Sequence, residues 1–122
     1  MFLKVAASRL HGQGCFTTRA VAPGEVVARS RVLIFPPQDT EVLLRTRMKN
    51  YVFYVRDGAS ADAPPYSAAA MSPVSFCNHS SEPNCDFFID ERAEEIVLTA
   101  RRPLAANEEI TIDYGDYAEE II

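Results

Sequence analysis

The chain has 122 residues, enough for one domain spanning 1–122, and its 48% hydrophobic and 24% charged composition excludes disorder. The formal net charge of −5 and the lack of a basic stripe argue against direct nucleic-acid binding and favour a basic protein partner. No apolar run is long enough for a signal peptide or a membrane span, and the odd count of three cysteines gives no disulfide framework, so a soluble, intracellular protein is expected.

In chain order, "FLKVAA" reads as a strand, "SRLHGQG" as a loop and "CFTTRAV" as a second short strand. "APGE" is a turn, with Pro23 presetting one backbone angle and Gly24 permitting a positive φ. "VVARSRVLIF" is rich in β-branched residues and reads as a long or broken strand. "PPQDTEVLLRTRMKN" is the one helix, with Asp39 or Thr40 as its cap. "YVFYV" is a strand and "RDGASADAPP" a loop. "CDFFID" and "EIVLTARR" are strands joined by the charged turn "ERAEE", and "EITIDY" is the last strand before the tail "GDYAEEII". "RAVAPGEVV" (Arg19 to Val27) is echoed by "RPLAANEEI" (Arg102 to Ile110), with Asn107 standing where Gly24 stands. The result is a mostly β, β-rich α+β domain.

Several chemistries compete for the polar cluster "SFCNHSSEPNCD". Zinc would need ligands beyond Cys77, His79 and Cys85, and only Cys15 and His11 remain, at unsuitable spacing. Cys77 and His79 are two apart and share a face when extended, but nothing nearby marks an activated thiolate; a buried small side chain is the plainer reading of Cys77. Gly12 and Gly14 suggest a dinucleotide loop, yet Thr17 stands where the third glycine belongs and no helix follows. Taken alone, the pair reads as a turn, and Tyr114 alone reads as a core-edge residue.

In order, however, the chain runs "G-x-G-x-F", "A-x-x-x-G-E-x-V", a Tyr-containing strand, "N-H-S-x-x-P-N" and "L-x-x-x-E-E-I-T-I-D-Y-G". From about Leu10 to Tyr117 this resembles the SET domain of protein lysine methyltransferases. The resemblance implies a β-clip of several small sheets with a knot-like C-terminal crossing. It implies an enzyme that binds S-adenosylmethionine on one face and a lysine-bearing, histone-like peptide on the other. By family pattern Gly12, Gln13 and Gly14 would give backbone contacts to the cofactor, and Asn78 and His79 would hold it. Tyr114 would be the catalytic-channel tyrosine, with Tyr51 as a second aromatic at the site and Tyr54 as its rival. Ile112, Tyr54 and Tyr117 would line the substrate channel. The resemblance also leaves open a catalytically weak interaction module, and a small β domain whose motifs are structural is the reading outside it.

Three departures from the family pattern carry expectations. Many members have a zinc-ligating Cys where this chain has Ser81, and no Cys follows Cys85, so no metal is expected. The lysine channel would then be closed by the tail or by a second subunit, which makes a homodimer one expectation. Ile112 stands where the family often has Phe or Tyr, which implies higher methyl number. The segment from Tyr51 to Phe76 is short, which limits the surface for reading substrate.

Overall fold

The structure is a computed structural model that describes residues 2–55 and 65–115. In chain order the strands are β1 (Leu3–Ala7), β2 (Gln13–Thr17), β3 (Val26–Phe35), β4 (Val52–Val55), β5 (Tyr66–Ala70), β6 (Asn78–His79), β7 (Cys85–Asp90), β8 (Glu95–Ala100) and β9 (Glu109–Ile112). One helix, α1 (Pro37–Leu43), and 3-10 turns at Arg47–Asn50 and Pro73–Phe76 complete the described residues. Strands dominate, as the sequence predicts.

Two sheets result. One has the order β1-β2-β9-β6, the other β4-β5-β3-β8-β7. β3 is long enough to serve two partners: Val26 to Arg31 pair with β8, Val32 to Phe35 with β5, and the register shifts between Val26 and Ala28. Between the sheets Val27, Val74, Ile96, Leu98, Ile110 and Ile112 are at most 2% exposed. Each such side chain contributes about 1.5–3 kcal/mol relative to exposure. Among the described residues no helix is long and apolar enough to cross a membrane.

The helix is shorter than predicted and starts differently. It ends at Leu43, and Thr46 caps a separate 3-10 turn by accepting from Met48 N–H. Pro36, not Asp39 or Thr40, is the N-cap, and no side chain caps the end. Pro37 in the first turn has no N–H to satisfy, and its fixed φ starts the helix unaided. Thr40 instead points inward, fully buried, with its hydroxyl 2.8 Å from that of Ser67. The strand predicted for "CFTTRAV" stops at Thr17, and the loop at "SRLHGQG" gives way to β2 already at Gln13.

The two echoing segments pair with each other. Val21 and Leu104 exchange both backbone hydrogen bonds, each 2.9 Å. Around that bridge several interactions occur twice. Arg19 Nη2 meets Glu25 Oε2 at 2.5 Å, and Arg102 Nη2 meets Glu108 Oε2 at 2.7 Å. Glu25 Oε1 accepts from Ala22 N–H and Glu108 Oε1 from Ala105 N–H, both at 3.0 Å. Both turns need a left-handed residue: Gly24 has φ +79° and Asn107 φ +68°. Asn visits that region at small cost and β-branched residues do not. Asn107→Gly is therefore expected to leave the urea unfolding midpoint unchanged, while Asn107→Val lowers stability by about 1–2 kcal/mol.

Candidate active site

The loop between β1 and β2 is tied down from a distance. Asn78 is buried, and its Nδ2 lies 3.1 Å from His11 O, 3.1 Å from Gln13 O, 3.1 Å from Ser8 Oγ and 2.8 Å from Glu109 Oε2. The Ser8 hydroxyl donates to the Glu109 carboxylate at 2.7 Å and accepts from Leu10 N–H at 2.9 Å. The carboxylate packs so closely on Gly14 that a Cβ there would run into it, and any larger residue would have to push the Glu109 carboxylate off its partners Ser8 and Asn78. Gly12 has open space where a Cβ would stand, and it lines a cleft.

The second half of the site comes from the parallel pairing of β6 with β9, Asn78 opposite Thr111 and His79 opposite Ile112. Asn84 secures β9 from the other side: its Oδ1 accepts from Thr111 N–H at 2.9 Å and its Nδ2 donates to Glu109 O at 2.8 Å. Just past β9, Tyr114 N–H donates to His79 Nδ1 at 3.0 Å, which leaves Nε2 to carry the ring proton. The two rings lie 5.0 Å apart. Tyr114 turns its hydroxyl to Cys77 O at 2.8 Å. Burial, and then Cys77 and Glu109, push its phenol up to about 12.

Two hollows meet at Tyr114. The larger is a cleft of about 200 Å³, floored by Gly12, Gln13 and His79 and walled by Phe76 and Tyr51. Those two rings stand edge to face, 5.4 Å apart. The smaller is a crevice of about 10 Å³ lined by Tyr51, Phe53, Tyr54, Phe87 and Tyr114. Asn50, Tyr51, Ser75, Cys77 and Tyr114 border both.

The residues predicted from sequence are distributed as follows. Gly12, Gln13, Asn78, His79, Tyr51 and Tyr114 line the cleft. Gly14 lies buried against Glu109 behind it. Tyr54 is buried and borders the crevice, donating its hydroxyl to Lys49 O at 2.8 Å. Ile112 is fully buried in the core and borders neither hollow. Tyr117 and the acidic tail lie outside the described residues. Cys77 is an inert thiol, pushed up by its neighbour Cys15 and by burial, and Cys85 is pushed up to about 12 chiefly by burial. Among the described residues no three His, Cys, Asp or Glu side chains stand close enough to hold a metal ion. Sequence reasoning missed Ser8, Glu109 and Phe76. Glu109 sits inside the "EEITIDYG" motif, but only its distant partners reveal that its carboxylate faces inward.

A two-sheet β fold whose C-terminal strand meets an Asn-His-Ser turn and a glycine loop around one tyrosine is the arrangement of a SET domain. The chain belongs to that family: the SET domain matches residues 12–115. It is 32% identical over 120 residues to human histone-lysine N-methyltransferase 2B, covering 90% of this chain and 4% of that protein. It is 29% identical over 119 residues to histone-lysine N-methyltransferase set-2 of Caenorhabditis elegans, covering 92% of this chain and 8% of that protein. The chain thus spans a small part of the curated relatives it matches. Its fold is similar to that of the Neurospora SET domain protein DIM-5, a histone lysine methyltransferase, with TM-score 0.70 and 22% identity over 93% of this chain and 52% of that one.

Two outcomes follow from the geometry. Asn78→Asp removes both donors and sets a carboxylate beside that of Glu109; a loss of about 2–4 kcal/mol is expected in urea unfolding. For Tyr114, whose folded value of about 12 exceeds the ordinary 10, the contribution to stability is complete below pH 10 and fades as pH rises toward 12. Tyr114→Phe should therefore lose less stability than the parent between pH 9 and pH 11 in paired unfolding curves.

Proposed function

We propose that this SET domain transfers a methyl group from S-adenosylmethionine to the side-chain amine of a lysine in a protein substrate. The observation that carries the proposal is the meeting of the two hollows at Tyr114, a polar-floored cleft on one side and an aromatic crevice on the other. The names of the relatives extend the reading to histone-like substrates.

The cleft fits an amino-acid nucleoside. The backbone of Gly12 and Gln13 offers polar groups, open space stands before Gly12, and Phe76 and Tyr51 offer flat apolar surface for a base. Asn78 acts through the loop that it clasps, while His79 presents Nε2–H. S-adenosylmethionine supplies an electrophilic methyl on a positive sulfonium when bound.

The chain's own residues then have two tasks. The first is to accept lysine as a neutral amine, which costs about 4–5 kcal/mol at pH 7 from a reference pKa near 10.4. The rings of Tyr51, Phe53, Tyr54, Phe87 and Tyr114 exclude water from the crevice, and exclusion disfavours the ammonium form. The second is alignment, which supplies much of the rate in an in-line displacement. Tyr114 is held at both ends, by His79 at its backbone and by Cys77 O at its hydroxyl, so its oxygen is a fixed acceptor at the mouth of the crevice. With its phenol near 12 it stays protonated at neutral pH and is a positioning dipole instead of a base.

Incubation with S-adenosylmethionine and a panel of basic proteins, read by mass spectrometry, is expected to show added methyl groups on lysine. Tyr114→Phe is expected to lower kcat about 10²-fold. Unchanged turnover in that variant would remove Tyr114 from the mechanism.

A further inference from the structure

Arg45, Arg47 and Lys49 place three cations within five residues of a chain whose net charge is −5. They line an open hollow of about 380 Å³ that runs from Leu44 to Tyr51. None of the three forms an ion pair among the described residues, where the pairs are Arg19–Glu25, His79–Asp113, Arg101–Asp86 and Arg102–Glu108. Asp39 and Glu41 lie nearby on α1 but do not line the hollow. The segment is fixed. The Thr46 hydroxyl donates to Leu43 O at 2.9 Å and accepts from Met48 N–H at 3.2 Å, and Lys49 O accepts from the Tyr54 hydroxyl. Asn50 and Tyr51 border this hollow, the crevice and the cleft alike, so the basic rim opens onto the same passage as Tyr114.

We propose that this rim receives an acidic stretch of the substrate polypeptide flanking the target lysine. The inference rests on the methyltransferase reading and adds a sequence preference to it. A lysine side chain in the crevice would set the residues on one side of it over Arg45, Arg47 and Lys49, where carboxylates are attracted, so a substrate that is basic overall would meet this rim with a local acidic stretch. The whole-chain charge and the local charge have opposite sign, and at a Debye length of about 10 Å the local one governs contact. A single turn with three cations matches a few carboxylates. A polynucleotide instead needs a longer basic track and would meet a net negative chain. Each exposed pair adds less than about fivefold, so the three together give about tenfold.

The test uses the full chain and three labelled short peptides with one central lysine, flanked by Glu and Asp, by Gln and Asn, or by Lys and Arg, with single-stranded DNA as a fourth probe. Fluorescence anisotropy is expected to show the acidic peptide binding about tenfold tighter than the neutral one at low salt. The preference should vanish at high salt and in the Arg45→Gln, Arg47→Gln, Lys49→Gln triple variant, which should still bind S-adenosylhomocysteine like the parent. Equal binding of acidic and neutral peptides, a preference that survives the triple change, or tighter binding of the DNA would overturn the inference. Titration of the parent with S-adenosylhomocysteine separates the two readings: no binding sinks the methyltransferase reading, whereas binding without any acidic preference sinks only this one.

Discussion

The side-chain amide of Asn78 has two hydrogens, and four oxygens stand within 3.1 Å of its nitrogen. They belong to Ser8, His11, Gln13 and Glu109, from segments at opposite ends of the chain. The two hydrogens are shared among these acceptors, so the amide draws the loop carbonyls and the Glu109 carboxylate toward one point. The loop from Ser8 to Gly12 can therefore stay in place without secondary structure of its own. The carboxylate of Glu109 is the counterpart. It is held in this half-buried place because Ser8 and Asn78 both donate to it, and Gly14 has no side chain in its way.

The rest of the site follows from that clasp. Placing Asn78 beside Glu109 aligns β6 with β9 in parallel, and the next residues of each strand bring His79 to the backbone of Tyr114. Tyr114 then reaches Cys77 O and divides a polar cleft from an aromatic crevice. The same burial that fixes its position raises its phenol out of the range useful to a base. In the proposed reaction, position, not proton transfer, is what this tyrosine would offer. The thiols of Cys77, through Cys15 and then burial, and of Cys85, chiefly through burial, are likewise pushed up, and both cysteines belong to the core.

The strands with β-branched residues were legible in the sequence: β3, β7 and the start of β8 fall where the pattern puts them. β5, "YSAAA", carried no such signal. Its Ser67, Ala68, Ala69 and Ala70 are buried between β3 and β4, where small side chains permit close packing. The helix start was misread because Thr40 looks like a cap on paper, while its hydroxyl is used by Ser67 across the fold. The echo of Arg19–Val27 in Arg102–Ile110 was visible as a turn, but the mutual pairing of Val21 and Leu104 is a tertiary fact. Glycine, Asn-His and tyrosine positions were readable as motifs. That Asn78 turns its amide inward, and that Glu109 receives it, depends on residues too far apart for spacing to reveal.

The central claim, that Asn78 holds from behind the loop proposed to face the cofactor, is tested most directly by NMR as S-adenosylhomocysteine is titrated in. The account predicts the largest amide shifts at Gly12, Gln13, Phe76 and His79, with the side-chain NH2 of Asn78 moving little because its hydrogens remain on protein oxygens. Shifts centred on Arg45 to Lys49, or a side-chain NH2 of Asn78 that moves more than the loop it holds, would contradict it.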